Sequence, residues 1–173
     1  KYTGFEIRRE QIDENTALLK ELKLTGATFI LGDGCHMDQY SSHPEGGYGF
    51  AFTCPPYYGL ESYSDLPNDL SNLGSYDEFN SCILQSALAH YPLMKPGAFV
   101  CIVTAPFRDK KTGELIDFPG HTVVNFRTVG FIYWQQVVLA KNAASAAKRS
   151  TNAWKGHKLV PTHEILLVFR KPG

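Results

Sequence analysis

The chain has no uninterrupted apolar run near the roughly 20 residues that a membrane-crossing helix requires, so the sequence predicts no membrane-spanning segment. Cysteine is scarce. Cys35, Cys54, Cys82 and Cys101 are the only four, and no two of them have C-x-x-C spacing. That pattern argues against a zinc site or a disulfide framework and suits reduced thiols in a cytoplasm. Net charge is also missing, since 17 Lys and Arg balance 17 Asp and Glu. The local absence is more informative: from Phe118 to His163 there is no acidic residue, while Arg127, Lys141, Lys148, Arg149, Lys155 and Lys158 are all basic. A neutral chain with one basic segment suits a polyanion that touches one face; a solvated lysine-bearing loop is the other reading of such a run. The remaining composition, 43% hydrophobic over 173 residues, is enough for one domain with a single core.

Periodicity divides the chain into short apolar strands alternating with helices. Lys1–Ile7 alternates as a strand with Glu6 at its carboxyl end, and Arg9–Leu22 places Ile12, Leu19 and Leu22 on a sparse helical face. Gly26 stops that helix, and Ala27–Leu31 forms a second strand closed by Gly32-Asp33-Gly34. Tyr48–Thr53 is a third. Residues 59–74 lack periodicity, and a loop of about 16 residues exceeds the usual connection, which marks a functional segment. Ser75-x-x-Glu78 is a capping box that opens a helix from Tyr76 to about Tyr91. Lys95-Pro96-Gly97 turns into an apolar strand, Ala98–Val103, residues 105–117 read as a polar loop, and a helix runs from about His121 to Thr128 before Gly130. The last strands, Phe131–Leu139 and His163–Arg170, are placed to pair antiparallel. The pattern predicts an α/β fold whose mostly parallel sheet is covered on both faces.

The most informative residues are Thr53-Cys54-Pro55-Pro56-Tyr57-Tyr58, directly after the third strand. Pro55-Pro56 removes two N–H donors and fixes φ, so the strand ends in a rigid, extended turn. Two tyrosines then follow at the carboxyl end of the strand, where open α/β sheets place their ligands. A rigid turn with free carbonyls beside an aromatic plate can hold a flat ring that bears an amine.

Cys54-Pro55-Pro56-Tyr57 resembles the (Asp/Asn/Ser)-Pro-Pro-Tyr signature of S-adenosylmethionine-dependent DNA amino-methyltransferases, which make N4-methylcytosine or N6-methyladenine. The wider run Phe52–Ser64 is similar to the phage and bacterial DNA methylase branch, which implies the cytoplasm of a bacterial or phage-infected host. Tyr76–Tyr91 with Lys95-Pro96-Gly97 and the strand after it resembles that family's helix–Lys-Pro-Gly–strand passage, and His163–Lys171 resembles its final strand. The resemblance implies a Rossmann-like methyltransferase fold with an antiparallel final strand, spanning residues 1–173 as a catalytic domain. It implies S-adenosylmethionine as cofactor and double-stranded DNA with a flipped base as partner. Glu6, with Ile7 beside it, matches the acidic ribose ligand; Asp33, with Gly34, matches the contact to the cofactor's adenine; Cys54 borders both cofactor and base.

An exocyclic amine is a poor nucleophile because its lone pair delocalises into the ring. Acceptors that bind both amino hydrogens free that lone pair, so catalysis is mainly positioning and electrostatics. The resemblance assigns one acceptor to the Pro55 carbonyl and the other to the side chain at position 54, with Pro56 completing the turn. Tyr57 is expected to stack on the flipped base, and Tyr58 to pack behind it on the DNA side. Position 54 departs from the signature. Cysteine is a weaker acceptor than Asp, Asn or Ser, and its size is closest to serine, the cytosine-N4 form. A cysteine nucleophile for C5 methylation belongs to a Pro-Cys motif, which is the reverse of the order here.

The segment 141–158 combines Ser145, Lys148, Arg149, Ser150, Asn152, Trp154, Lys155 and Lys158. Cations, small donors and one aromatic suit phosphate contacts with a stacking or wedging side chain; Trp154 as a core anchor is the competing reading. One family landmark is absent. The first strand and its glycine-rich loop are expected just before Lys1, between the strand of Phe5 and the strand of Phe52, so the chain is expected to begin within the family's second strand. An upstream segment or a second chain is expected to supply that strand. Two other functions compete with DNA amino-methylation: a methyltransferase fold that binds DNA without methylating it, and methylation of a protein glutamine amide.

Overall fold

A computed structural model describes residues 1–40, 43–142, 150 and 153–173. Two sheets carry the architecture. The first pairs β1 (Tyr2–Glu6) with β2 (Ala27–Leu31) in parallel, and α1 (Arg9–Glu21) connects them. The second has the order β3-β4-β8-β7, from β3 (Tyr48–Thr53), β4 (Met94–Thr104), β7 (Ile132–Ala140) and β8 (His163–Arg170). β3 and β4 are parallel, and β8 runs antiparallel to both β4 and β7. β3, β4 and β7 therefore share one direction and β8 alone opposes them, the mostly parallel arrangement expected from the sequence. β5 (Phe107–Arg108) and β6 (Leu115–Ile116) form a small hairpin within 105–117.

β1 and β3 do not pair. Each is an edge strand, and the two edges border one cleft instead. On one face of the larger sheet lie α2 (Tyr76–Leu93) and α3 (Phe118–Val129), with Ala87 and Phe126 packing on Val100, Ile102, Leu167 and Phe169. Phe126 stacks on Phe169 with ring centroids 4.5 Å apart. A second cluster, Phe79, Ile83, Phe107 and Phe118, closes the end of α2 toward the Pro-Pro turn and takes in Tyr57, Tyr58 and Tyr76.

Local chemistry fixes the helix ends. Ser75 Oγ accepts from the Glu78 N–H at 3.2 Å and Glu78 Oε2 accepts from the Ser75 N–H at 3.2 Å, so both halves of the capping box form. α3 begins at Phe118, three residues before its predicted start. Asp117 caps it by accepting the Gly120 N–H at 3.0 Å, and Pro119 sits in the first turn, where its missing N–H costs nothing. Gly130 ends it in the left-handed region at φ 111°. β4 starts at Met94, earlier than expected. Lys171 Nζ donates to the Tyr91 and Met94 carbonyls at 2.6 and 2.8 Å, which holds the helix-to-strand passage through Lys95-Pro96-Gly97 in place. No helix of the described residues is long and apolar enough to cross a membrane.

Candidate active site

The carboxyl ends of β1, β2 and β3 bring together residues far apart in sequence. Glu6, Ile7, Asp33, Gly34, Cys54, Pro55 and Pro56 all border a single cleft of about 780 Å3. It extends along the bodies of β1 and β3 to Ser86 and His90 of α2. His90 is buried, and desolvation holds its imidazole below the ordinary histidine range, against a hydrogen bond from its ring to the Ser86 carbonyl.

Glu6 stands at the mouth. Its Oε1 accepts the Arg8 N–H at 3.0 Å and lies 3.5 Å from Arg8 Nε, and the Arg8 guanidinium sits 5.8 Å from the centre of the Tyr63 ring. These contacts tie the end of β1 to the loop that follows the Pro-Pro turn. Asp33 is placed alongside but is otherwise engaged. Its Oδ1 accepts the Cys35 N–H at 2.8 Å, capping a 3₁₀ turn over Gly34–Gln39, and its Oδ2 lies 3.2 Å from His36 Nδ1. The Asp33 N–H donates to Tyr40 Oη at 3.0 Å, and a Cβ on Gly32 would strike the Tyr40 ring. Gly32 is therefore required by a close approach, whereas Gly34 has open space around it.

At the motif, Cys54 is exposed and unpaired. Partial desolvation, then the carboxylates of Glu164 and Glu61, push its thiol above the ordinary range, while Lys141 opposes them. Cys54 is thus a neutral thiol at neutral pH, unsuited to nucleophilic attack on a pyrimidine ring. Tyr57 is half-buried. Its ring lies 6.3 Å from Phe107 at a shallow angle and edge-on to Phe118 at 6.1 Å. Its Oη donates to Glu164 Oε1 at 3.2 Å, and its N–H donates to Glu61 Oε2 at 3.3 Å. Burial, then Glu164, pushes its phenol far above the ordinary range. One face of the expected base-stacking ring is therefore already backed by Phe107. Tyr58 is built into the aromatic cluster, with its ring beside Tyr76 and Phe79 and its Oη donating to the Gly74 carbonyl at 3.2 Å.

Asp69, from the long loop, joins the same wall. It is 3% exposed and accepts from Ser64 Oγ, the Ser71 N–H and Ser71 Oγ at 2.6 to 2.8 Å. The basic segment is only partly described. Trp154 is 84% exposed, which does not fit the core-anchor reading of it. Lys155 and Lys158 are exposed as well. Ser145, Lys148, Arg149 and Asn152 lie outside the described residues. Among the described residues there is no cluster of His, Cys, Asp and Glu able to hold a metal ion.

Sequence reasoning missed Glu164 as a site residue. It read His163–Arg170 only as a structural strand. Topology held the signal: an antiparallel strand starts where its parallel neighbours end. Ile165 pairs with Thr104 at the carboxyl end of β4, so Glu164 emerges on the ligand edge of the sheet. Lys141 Nζ, just after β7, holds it at 2.7 Å.

No protein-family model matches the chain, and no curated protein matches it. Solved structures do. A protein of Thermus thermophilus assigned as a DNA modification methylase, in complex with S-adenosyl-L-methionine, superimposes with a TM-score of 0.57 at 23% identity, over 82% of this chain and 54% of its own. A protein of Galdieria sulphuraria assigned as a sarcosine dimethylglycine methyltransferase gives 0.60 at 13% identity, over 98% of this chain and 69% of its own. The [4+2]-cyclase SpnF gives 0.56 at 14% identity, over 98% of this chain and 66% of its own. The chain spans about half the length of the Thermus methylase structures it matches. A cyclase among these neighbours shows that the fold does not decide the chemistry. The likeness does establish the fold, the Rossmann-like α/β architecture also seen in S-adenosylmethionine-dependent methyltransferases.

Proposed function

We propose that this chain is the catalytic part of an S-adenosylmethionine-dependent methyltransferase acting on an exocyclic amino group in DNA, N4 of cytosine or N6 of adenine. One observation carries the reading: the Pro55-Pro56 turn opens on the same cleft as Glu6 and Asp33, at the carboxyl ends of three strands. The donor set fits the cofactor. Glu6 offers a half-buried carboxylate suited to two vicinal ribose hydroxyls, and Ile7 and Gly34 offer apolar and open surface beside it. Asp33 contributes by holding the 3₁₀ turn, because its carboxylate is occupied by Cys35 and His36. When bound, the cofactor supplies an electrophilic methyl group.

The residues of the chain do the rest. The Pro55 carbonyl, left free because the Tyr57 N–H of the same turn donates to Glu61, accepts from the target amine. Tyr57 offers the base a ring fixed from behind by Phe107 and from its hydroxyl by Glu164. Trp154, Lys155 and Lys158, all exposed, supply a stacking group and phosphate contacts, with Lys148 and Arg149 from the same segment. The cleft between the bodies of β1 and β3 supports a further partner, a β-strand from polypeptide outside residues 1–173, hydrogen-bonded to both edges.

Transfer of labelled methyl groups to duplex DNA, followed by digestion to nucleosides, tests the reading. Label in N4-methylcytosine or N6-methyladenine is the expected result. Cofactor and DNA binding without transfer would favour a DNA-binding protein that has lost the activity, a reading that the cysteine at position 54 keeps open. Label in a glutamine amide of added protein would favour the third.

A further inference from the structure

Resting on the reading above, we propose that Glu164 is the proton acceptor for the target amine, supplying beside the Pro-Pro turn the carboxylate that position 54 lacks. Three observations place it there. Glu164 is two residues into the antiparallel β8, at the sheet edge where β4 ends and the motif begins. Its Oε1 accepts from Tyr57 Oη at 3.2 Å and pairs with Lys141 Nζ at 2.7 Å, so two anchors from different parts of the chain fix one carboxylate. Its partner Tyr57 belongs to the motif itself, three residues after Cys54, so the bond joins Glu164 to the Pro-Pro turn.

The chemistry requires such a group. The amine nitrogen forms a bond to the methyl carbon while the carbon–sulfur electron pair leaves with sulfur. The nitrogen then carries a positive charge and must lose one of its protons. Cys54, neutral and a weak acceptor, cannot take it, and the Pro55 carbonyl accepts a hydrogen bond but does not hold a proton. A carboxylate can, passing it afterwards to water. Glu61 is the other carboxylate nearby. Its Oε2 accepts from the Tyr57 N–H and, at 2.9 Å, from Tyr63 Oη, but it stands exposed on the loop, where solvent competes for it, whereas Glu164 is part-buried. Among the described residues, Tyr57 of the motif and Lys141 from the end of β7 bond Glu164 directly, and Cys54 lies within reach of its charge.

Glu164→Gln tests this, because it keeps an oxygen for Tyr57 Oη while removing the charge and the ability to take a proton. The first readout needs no cofactor. Cys54 is the exposed cysteine of the four, so its alkylation rate against pH reports its thiol. The midpoint should fall in Glu164→Gln; an unmoved midpoint would overturn the placement. The second readout is kinetic: kcat should fall on the order of 10²-fold with KM little changed, and adding Cys54→Asp should restore most of it. If Glu164→Gln transfers methyl groups as fast as the parent, Glu164 only orients Tyr57 and the inference fails while the proposed function stands. A parent protein that transfers none, with cofactor and DNA bound, sinks the proposed function itself and the inference with it.

Discussion

Replacing Glu6 by glutamine isolates the cofactor assignment from the rest of the site. The Glu6 side chain is 26% exposed, and Oε1 already accepts the Arg8 N–H, so the carboxylate is oriented before any ligand arrives. A preoriented carboxylate that accepts from a ribose diol makes charge-assisted bonds, worth about 1.5–3 kcal/mol beyond what a neutral amide retains. Glutamine keeps one acceptor and turns the other oxygen into a donor. Affinity for S-adenosylmethionine should therefore fall roughly 10- to 150-fold. Titration calorimetry measures it, and adenosine should show a similar ratio, since the ribose is the part concerned. Asp33→Asn is the internal comparison. Its carboxylate serves Cys35 and His36, so the expected result is a lower Tm with affinity changed by less than about threefold. A folded Glu6→Gln protein that binds cofactor as tightly as its parent would refute the assignment.

The loop and the DNA face give further tests. Burial alone would raise the carboxyl of Asp69, but hydrogen bonds from Ser64 and Ser71 outweigh it and hold the group below the ordinary carboxylate range. A depressed folded value means the contribution is present above the unfolded pKa and is lost as pH falls through the folded one. Asp69→Ala should therefore cost about 1–3 kcal/mol at pH 7 and much less near pH 2, measured by urea unfolding at both. Trp154→Ala should weaken DNA binding by about 1–3 kcal/mol with Tm unchanged, because the ring is exposed. Lys148→Ala with Arg149→Ala should reduce the logarithmic salt slope of DNA affinity by about 0.9 for each phosphate the pair neutralises, and an unchanged slope moves the DNA face elsewhere.

Much of this was legible in the residues. Strand ends are marked by short-range chemistry: Glu6 precedes a helix, Gly32-Asp33-Gly34 breaks a strand, and Pro55-Pro56 forbids its continuation. The sheet rule then places all three at the carboxyl ends of strands, and one cleft between the two sheets collects them. What the sequence hid depends on partners remote in the chain. Glu164 lies 107 positions from Tyr57, and nothing in His163-Glu164-Ile165 distinguishes a site carboxylate from a strand's first exposed residue. Asp33 matched a ligand pattern, yet its nearest donors are the N–H groups of its own turn. Tyr58 was legible as an aromatic but not as one enclosed by Tyr76 and Phe79. Trp154 was undecidable because a lone aromatic in a basic segment has the same sequence whether it is covered or bare.

The cleft itself poses the last question, since its mouth and its body suit different occupants. The mouth gathers Glu6, Asp33 and Cys54; the body runs between two strand edges, five residues of β1 and six of β3. Edge strands present rows of unpaired N–H and C=O groups, and Phe50 and Phe52 of β3 are 60% and 61% exposed. A parallel strand seated between them would make on the order of ten backbone hydrogen bonds, each worth about 0.5–1.5 kcal/mol net. Ordering some six residues costs about 1–2 kcal/mol apiece, which offsets most of that gain. The difference is small for a free peptide and larger for a strand tethered at high effective concentration. Hydrogen exchange should accordingly show the cleft-facing amides of β1 and β3 open in the 173-residue chain, barely protected by a free strand peptide, and strongly protected when that strand is joined through a short linker. Amides already protected to the level of β4 in the 173-residue chain alone would mean that the two edges satisfy each other, and the strand proposal would fall.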